Sequence, residues 1–306
     1  GWAAGRAIIG PRTRPASLAV RRWLALRVQA WEQGVAFEEV QLTPNYIAQL
    51  DAVVCPVTRQ PLAGHAERGV VARVFEGAGC AAGNLVLLDA SAAAAKAGRR
   101  WDDARLQAVL AEARQAGGSA DHALDRDAWA RLATLMSFCT PLPHELAASL
   151  PLRVLPPNRL RLLNPIQGLQ VLITRLLLRP GYAERSQRLA ALLPAGEVRR
   201  DFLLVFHSLL PRAWDGGRPQ GLRQLRERLE DGWAQPALLR RWQRFAAHFD
   251  AASAEALVRR AVEAGLGDTH VELHPAERAT EGWALETRGQ VDAAARSPAL
   301  RLVPAA

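Results

Sequence analysis

Lysine is almost missing from this 306-residue chain: of 39 Lys and Arg side chains, Lys96 is the one lysine. Ala, Leu and Gly are abundant alongside Arg, a signature of genomic base composition. The chemical result is a surface of planar, permanently charged guanidinium groups. Cysteine is scarce too. Cys55, Cys80 and Cys139 form no CxxC pair and no even set, which argues against a disulfide framework or a cysteine-built zinc site and fits a reducing, cytoplasmic setting. Long apolar runs are lacking: the longest, 171–178, is interrupted by Thr174 and Arg175. It reads as a buried helix, so no membrane partner is expected. Neither GxxxxGK[ST] nor GxGxxG occurs, leaving nucleotide hydrolysis and dinucleotide binding without support. Gly1 stands where a Met would start the chain, predicting a missing or processed N-terminus, and nothing before Pro11 resembles a signal peptide.

What is present is core-forming material and positive charge. Hydrophobic residues make up 49% of the chain, enough for a packed interior. Aromatics are few, but nine are Trp against seven Phe and two Tyr. Most of these tryptophans lie in helical patterns, where core anchoring is their expected role. The formal net charge is +9, which favours polyanionic partners through counterion release.

Along the chain, residues 1–13 read as an irregular arm. Leu18, Val20, Trp23, Leu24, Val28 and Trp31 recur at helical spacing. Thr43-Pro44 predicts a short capped helix to Leu50. Val70, Val71, Val74 and Phe75, a glycine loop at 77–83, and Leu85–Leu88 predict two strands. A helix over 89–97 follows. Beyond Arg100 the pattern is helical almost throughout: 102–115 capped by Asp102, then 126–138, 144–150, 165–178, 182–193, 197–214, 220–232, 236–249 and 254–265. One strand is expected at 270–273. No fixed-period repeat is seen. The fold class expected is mainly α with a small ββα insertion and a multi-helix C-terminal region, divided into 1–52, 53–118 and 119–306.

Residues 55–98 carry a resemblance. Cys55-Pro56-Val57, Ala72-Arg73-Val74, Gly79, Gly83-Asn84-Leu85-Val86 and Lys96 match in order the core of the HNH (His-Me finger) endonucleases, and a helix at 103–113 falls where those proteins often have one. The likeness covers about 60 residues. It implies a hairpin and helix that hold one divalent metal on a scissile phosphate, a strand histidine as general base, and an asparagine that fixes the loop. Transferred to this sequence, the metal-binding Asp falls on Ala72, the general base on Arg73, the orienting residue on Asn84, and the last ligand near Ala93. Alanine has no lone pair to offer a metal, and arginine is a donor-only cation. The resemblance therefore implies a pseudo-nuclease with Asn84 and Arg73 as vestiges, no cofactor, no metal site and no catalytic residues.

The contact surface expected for nucleic acid, with DNA favoured over RNA, comprises Arg73, Lys96, Arg99, Arg100, Trp101, Arg159, Arg161, Arg240 and Arg241. Other protein subunits of a nucleoprotein, defence or mobile-element complex are a further class of partner. Two alternatives stand beside this reading. One is an active nuclease using His65 with Asn84 or Glu76; the other is a helical scaffold that binds proteins. His270, Glu272 and His274 would share one face of a strand, but a polar edge strand accounts for them better. His207 is expected in the core or an interface, Ser186 and Ser208 lack a nucleophile setting, and Arg223, Arg226 and Arg228 with Glu227, Glu230 and Asp231 read as a solvated helix face.

Overall fold

The computed structural model describes residues 15–50, 52–62, 69–116, 124–267 and 276–291. The described chain is mainly helical with one two-stranded antiparallel sheet. Ser17 accepts from the Val20 amide to open α1 (Leu18–Gln33), and Gly34 closes it at φ 65, a conformation that favours glycine. Thr43 caps α2 (Pro44–Gln49), with Pro44 where its missing N–H costs no helical hydrogen bond. Strand β1 (Gly69–Arg73) pairs with β2 (Leu85–Asp89), Val71 opposite Leu87 and Arg73 opposite Leu85. Asp89 then accepts from the Ala92 amide and starts α3 (Ala90–Lys96).

Helix α4 (Trp101–Ala116) begins one residue before the expected Asp102 cap, and Asp103 accepts from the Arg100 amide instead. It lies against α5 (Arg126–Phe138), capped by Asp125. There follow α6 (His144–Ser149), α7 (Pro165–Leu176), α8 (Tyr182–Ala191) and α9 (Glu197–Leu209). The single helix expected to run on to Trp214 breaks into a 3-10 turn, Leu210–Trp214, because Pro211 has no N–H for an α-helical bond. Helices α10 (Leu222–Gly232), α11 (Pro236–Ala246), α12 (Ala251–Glu263) and α13 (Ala276–Ala279) follow, and a 3-10 turn, Leu285–Thr287, completes the described elements. The strand expected at 270–273 lies outside the described residues, as do His65, His270 and His274. None of the described helices is long and apolar enough to cross a membrane.

Tryptophans anchor the core where their N–H finds an acceptor. Trp233 donates to Thr174 Oγ1 (3.0 Å), Trp242 to the Ala148 carbonyl (2.8 Å) and Trp283 to the Ala82 carbonyl (3.0 Å). Trp233 and Trp242 meet edge-to-face, with centroids 5.6 Å apart. Core anchoring fails for Trp31, 80% exposed, and Trp214. Leu26, Leu88, Leu172 and Trp283 belong to one hydrophobic cluster, so the buried interior runs through all three expected stretches.

The contacts that sequence periodicity does not reveal are non-local. The Gly79 amide donates to the Trp283 carbonyl, Cys80 to Ala36 and Ala36 to Gly289, each at 2.8–2.9 Å. Residues 282–291 and 34–38 thus brace the hairpin loop. On its other side, Arg59 makes two 2.9 Å bonds to Asp231 and reaches Glu230, which is buried. The acidic side of α10, expected to face solvent, is therefore a docking edge for the turn at 55–59.

Candidate nucleic-acid interface

At the end of β1 the loop 75–79 is held from inside. Asn84 is fully buried. Its Oδ1 accepts from the Phe75 amide (2.8 Å), and its Nδ2 donates to the carbonyls of Phe75 (3.0 Å) and Gly79 (3.1 Å). Arg73 wraps the same loop, donating to the carbonyls of Glu76 (3.1 Å) and Ala78 (2.8 Å) and ion-pairing with Glu76 (2.7 Å). Lys96, at the end of α3, reaches the other oxygen of Glu76.

Beside this triad is a cavity of about 330 Å³, lined by Ala72, Arg73, Glu76, Ala93, Lys96 and Gln33 among others. Ala72 and Ala93, where the resemblance would put metal ligands, both face it without a donor atom. Among the described residues no three His, Cys, Asp or Glu side chains converge as a metal site. Burial pulls the Lys96 ammonium below the usual lysine range; Glu76 opposes this, and Arg73 adds to it. Burial pushes the Cys80 thiol up to about 11.

Four residues expected to contact nucleic acid turn out to be internal. Arg73 is held by Glu76 and two loop carbonyls, and Lys96 is buried against Glu76. Arg161 is buried, donates to Gln41 Oε1 (2.9 Å), and packs its side chain against Gly83. Trp101 sits in the core cluster rather than in reach of a base. Arg73 and Arg161 lie beside carbonyls that take up their N–H groups, and Lys96 is buried against the Glu76 carboxylate. Arg99 donates to the Ala95 carbonyl and packs over Trp129, 5.6 Å from the ring centroid. Arg159 is half-buried at φ 64, and its carbonyl accepts from the Tyr46 hydroxyl (3.1 Å). Arg100, 76% exposed, Arg240 and Arg241 keep their guanidinium groups at the surface.

Sequence and fold comparisons are silent: no family model, curated protein or solved structure matches the chain.

The exposed arginines group on a face that the sequence pattern gave only in part. Helices α9 and α11 pack together and carry the exposed Arg200, Arg240, Arg241 and Arg244 with Glu197 and Asp201, while Arg199 is half-buried and donates to the Leu193 carbonyl (3.0 Å). Arg241 donates to Ser208, while Arg244 pairs with Asp201 (2.7 Å), which also meets His248 (3.0 Å). Although burial works against its ionisation, the His248 hydrogen bond and the Arg244 charge hold the Asp201 carboxyl below the usual carboxylate range. Asp201 was not anticipated, because its partners Arg244 and His248 lie more than forty residues away in the chain. His207 is exposed rather than buried, and its ring meets the edge of Phe206. A second surface near the hairpin is a cavity of about 350 Å³ lined by Phe75, Gly77, Arg99, Arg100, Trp101 and Thr140 among others.

Glu76 and Asn84, the partners proposed for His65 in an active nuclease, are both committed to holding the loop.

Proposed function

We propose that this chain is a non-catalytic nucleic-acid-binding protein with a degenerate HNH-type hairpin and helix, acting as a subunit of a larger nucleoprotein assembly of the defence or mobile-element kind. Duplex DNA is favoured over RNA. The observation that carries this reading is the set of exposed arginines on the packed helices α9 and α11: Arg200, Arg240, Arg241 and Arg244, with two acids, Glu197 and the buried Asp201. Guanidinium forks match phosphate oxygens and stay charged at every physiological pH. The arginine-for-base and alanine-for-ligand positions at Arg73, Ala72 and Ala93 support binding without cleavage.

Duplex DNA titrated across 50–200 mM salt tests it. Replacing Arg240 and Arg241 by alanine lowers the slope of log K against log salt by about 0.9 per lost phosphate contact, and Mg²⁺ yields no cleavage. An unchanged slope would remove this face from the interface; metal-stimulated nicking would overturn the non-catalytic reading.

A second reading has its own observation. Helix α1 exposes Leu24, Val28 and Trp31, spaced by four and three residues, and α4 exposes Leu106, Val109 and Leu110. Such stripes favour packing against other polypeptides, as a scaffold would. Cross-linking that captures protein partners through Trp31 variants, with no DNA retained at physiological salt, would favour it.

A further inference from the structure

Lys96 stands out on two independent grounds. It is the single lysine among 39 basic Lys and Arg side chains, and it is the most deeply buried of the described ones, 2% exposed. An ammonium carries three N–H donors. Among the described residues one acceptor meets them, Glu76 Oε1. Among the described residues the other two donors of this buried cation have no partner, which is costly in a desolvated setting.

The charges around it do not balance. The cavity wall carries Arg73 and Lys96 against Glu76, and its remaining polar side chains, Gln29, Gln33 and the protonated Cys80, are neutral. One positive charge is left over. The cavity is open at its rim, where Gln29, Gln33, Ala97 and Gly98 are exposed. A cation is repelled from this space; an oxyanion would accept the unused Lys96 donors and neutralise the excess. At about 330 Å³ the cavity is in the range of small-molecule sites.

We propose that the cavity between α1, the β-hairpin and α3 binds a phosphate group through Lys96, with Arg73 and Glu76 fixing the ammonium in place. The chemistry is that of a phosphate monoester, whether free or at the end of a nucleic-acid strand. Only the strand-end arm of the test rests on the function proposed above. Lysine suits the role because three donors on a compact head can turn from Glu76 to an incoming oxygen, whereas a planar fork is fixed in direction.

A single lysine makes the test direct, because lysine labelled with ¹⁵N at Nζ gives one side-chain ammonium signal. Titrating inorganic phosphate into the full chain, with chloride holding ionic strength constant, shifts that signal saturably. Lys96→Met weakens phosphate binding by calorimetry at least about tenfold, the loss of a charge-assisted hydrogen bond. Ala93→Asp puts a carboxylate on the cavity wall and abolishes phosphate binding while leaving the folded spectrum intact, so the test does not depend on how Lys96→Met folds. An unmoved Lys96 signal in phosphate, or full binding by Ala93→Asp, overturns the site. Oligonucleotides with a 5′-phosphate or a 5′-hydroxyl separate the two sources. If only the phosphorylated strand moves the signal, the ligand is a strand end. If inorganic phosphate binds and neither strand does, the site stands and the nucleic-acid reading fails. If both strands bind Lys96→Met as tightly as the parent and phosphate leaves the signal unmoved, the site fails and the α9–α11 face stands.

Discussion

Replacing Asn84 by alanine tests how the hairpin loop is held. The amide makes three hydrogen bonds to the loop backbone, at 2.8, 3.0 and 3.1 Å, from a fully buried position. Each contributes about 1 kcal/mol net, and a buried N–H left unpaired costs a similar amount again. The fragment lost is small, so the cavity left is minor. The expected loss is about 4 kcal/mol, which for a chain of this size lowers Tm by roughly 6 °C. Urea unfolding followed by tryptophan fluorescence reads it as a lower midpoint at unchanged slope. Asn84→Asp is worse near neutral pH: it keeps the acceptor for Phe75 but turns a carboxylate oxygen toward the carbonyls of Phe75 and Gly79. Arg73 holds the same loop through Glu76 and Ala78, so the double replacement with Arg73→Ala should show coupling between the two sites. A loss below about 1 kcal/mol for Asn84→Ala would refute the clamp and mean that the loop holds itself.

Other replacements probe the contacts that fix the hairpin in the fold. Gly83→Ala is expected to lower the urea midpoint sharply, because φ is +86 and a Cβ would lie 2.3 Å from the Arg161 side chain; the backbone strain alone costs about 1–3 kcal/mol, and a stable variant would mean the Gly83–Arg161 contact is not tight. Trp283→Ala, which empties a fully buried site and orphans the Ala82 carbonyl, should cost about 3–5 kcal/mol by the same unfolding measurement. If the segment 276–291 were a detachable tail, that variant would unfold like the parent. Arg59→Ala strips two 2.9 Å bonds from Asp231 and leaves buried Glu230 with Arg226 and the Leu155 amide. Since Asp231 is half-exposed, about 2 kcal/mol is expected, with a stability difference under 0.5 kcal/mol counting against the docking edge. Asp201 has its folded pKa below its unfolded value near 3.8, so its contribution is complete above that pH and disappears as pH falls through the folded pKa. The stability gap between the parent and Asp201→Asn should therefore close on the acid side of pH 4 and stay constant above it; a gap that opens only at acid pH would reverse the sign of the argument.

Much of the local structure was written in single residues. Thr43-Pro44, Asp89 and Asp125 cap the helices they precede because a side-chain oxygen meets amides only two or three residues away. The two strands followed from a β-branched cluster and a run of leucines on either side of a glycine loop. Asn84 was legible as the residue that fixes the loop. Which arginines face solvent was not legible: Arg100, Arg161 and Arg240 look alike in sequence, and only the partner brought alongside each one decides its fate. Arg161 is buried because Gln41 and the Gly83 turn come from more than seventy residues away.

What depends on neighbours within a turn or two could be read from residue order: helix periods, caps and the two strands of the hairpin. The tertiary structure alone decided that Lys96 faces a cavity with an excess of positive charge, that Trp283 closes over the hairpin loop, and that Arg200 of α9 and Arg244 of α11 meet at Asp201. Those outcomes turn on long-range burial and pairing, where desolvation and a distant acceptor outweigh any preference a residue has on its own.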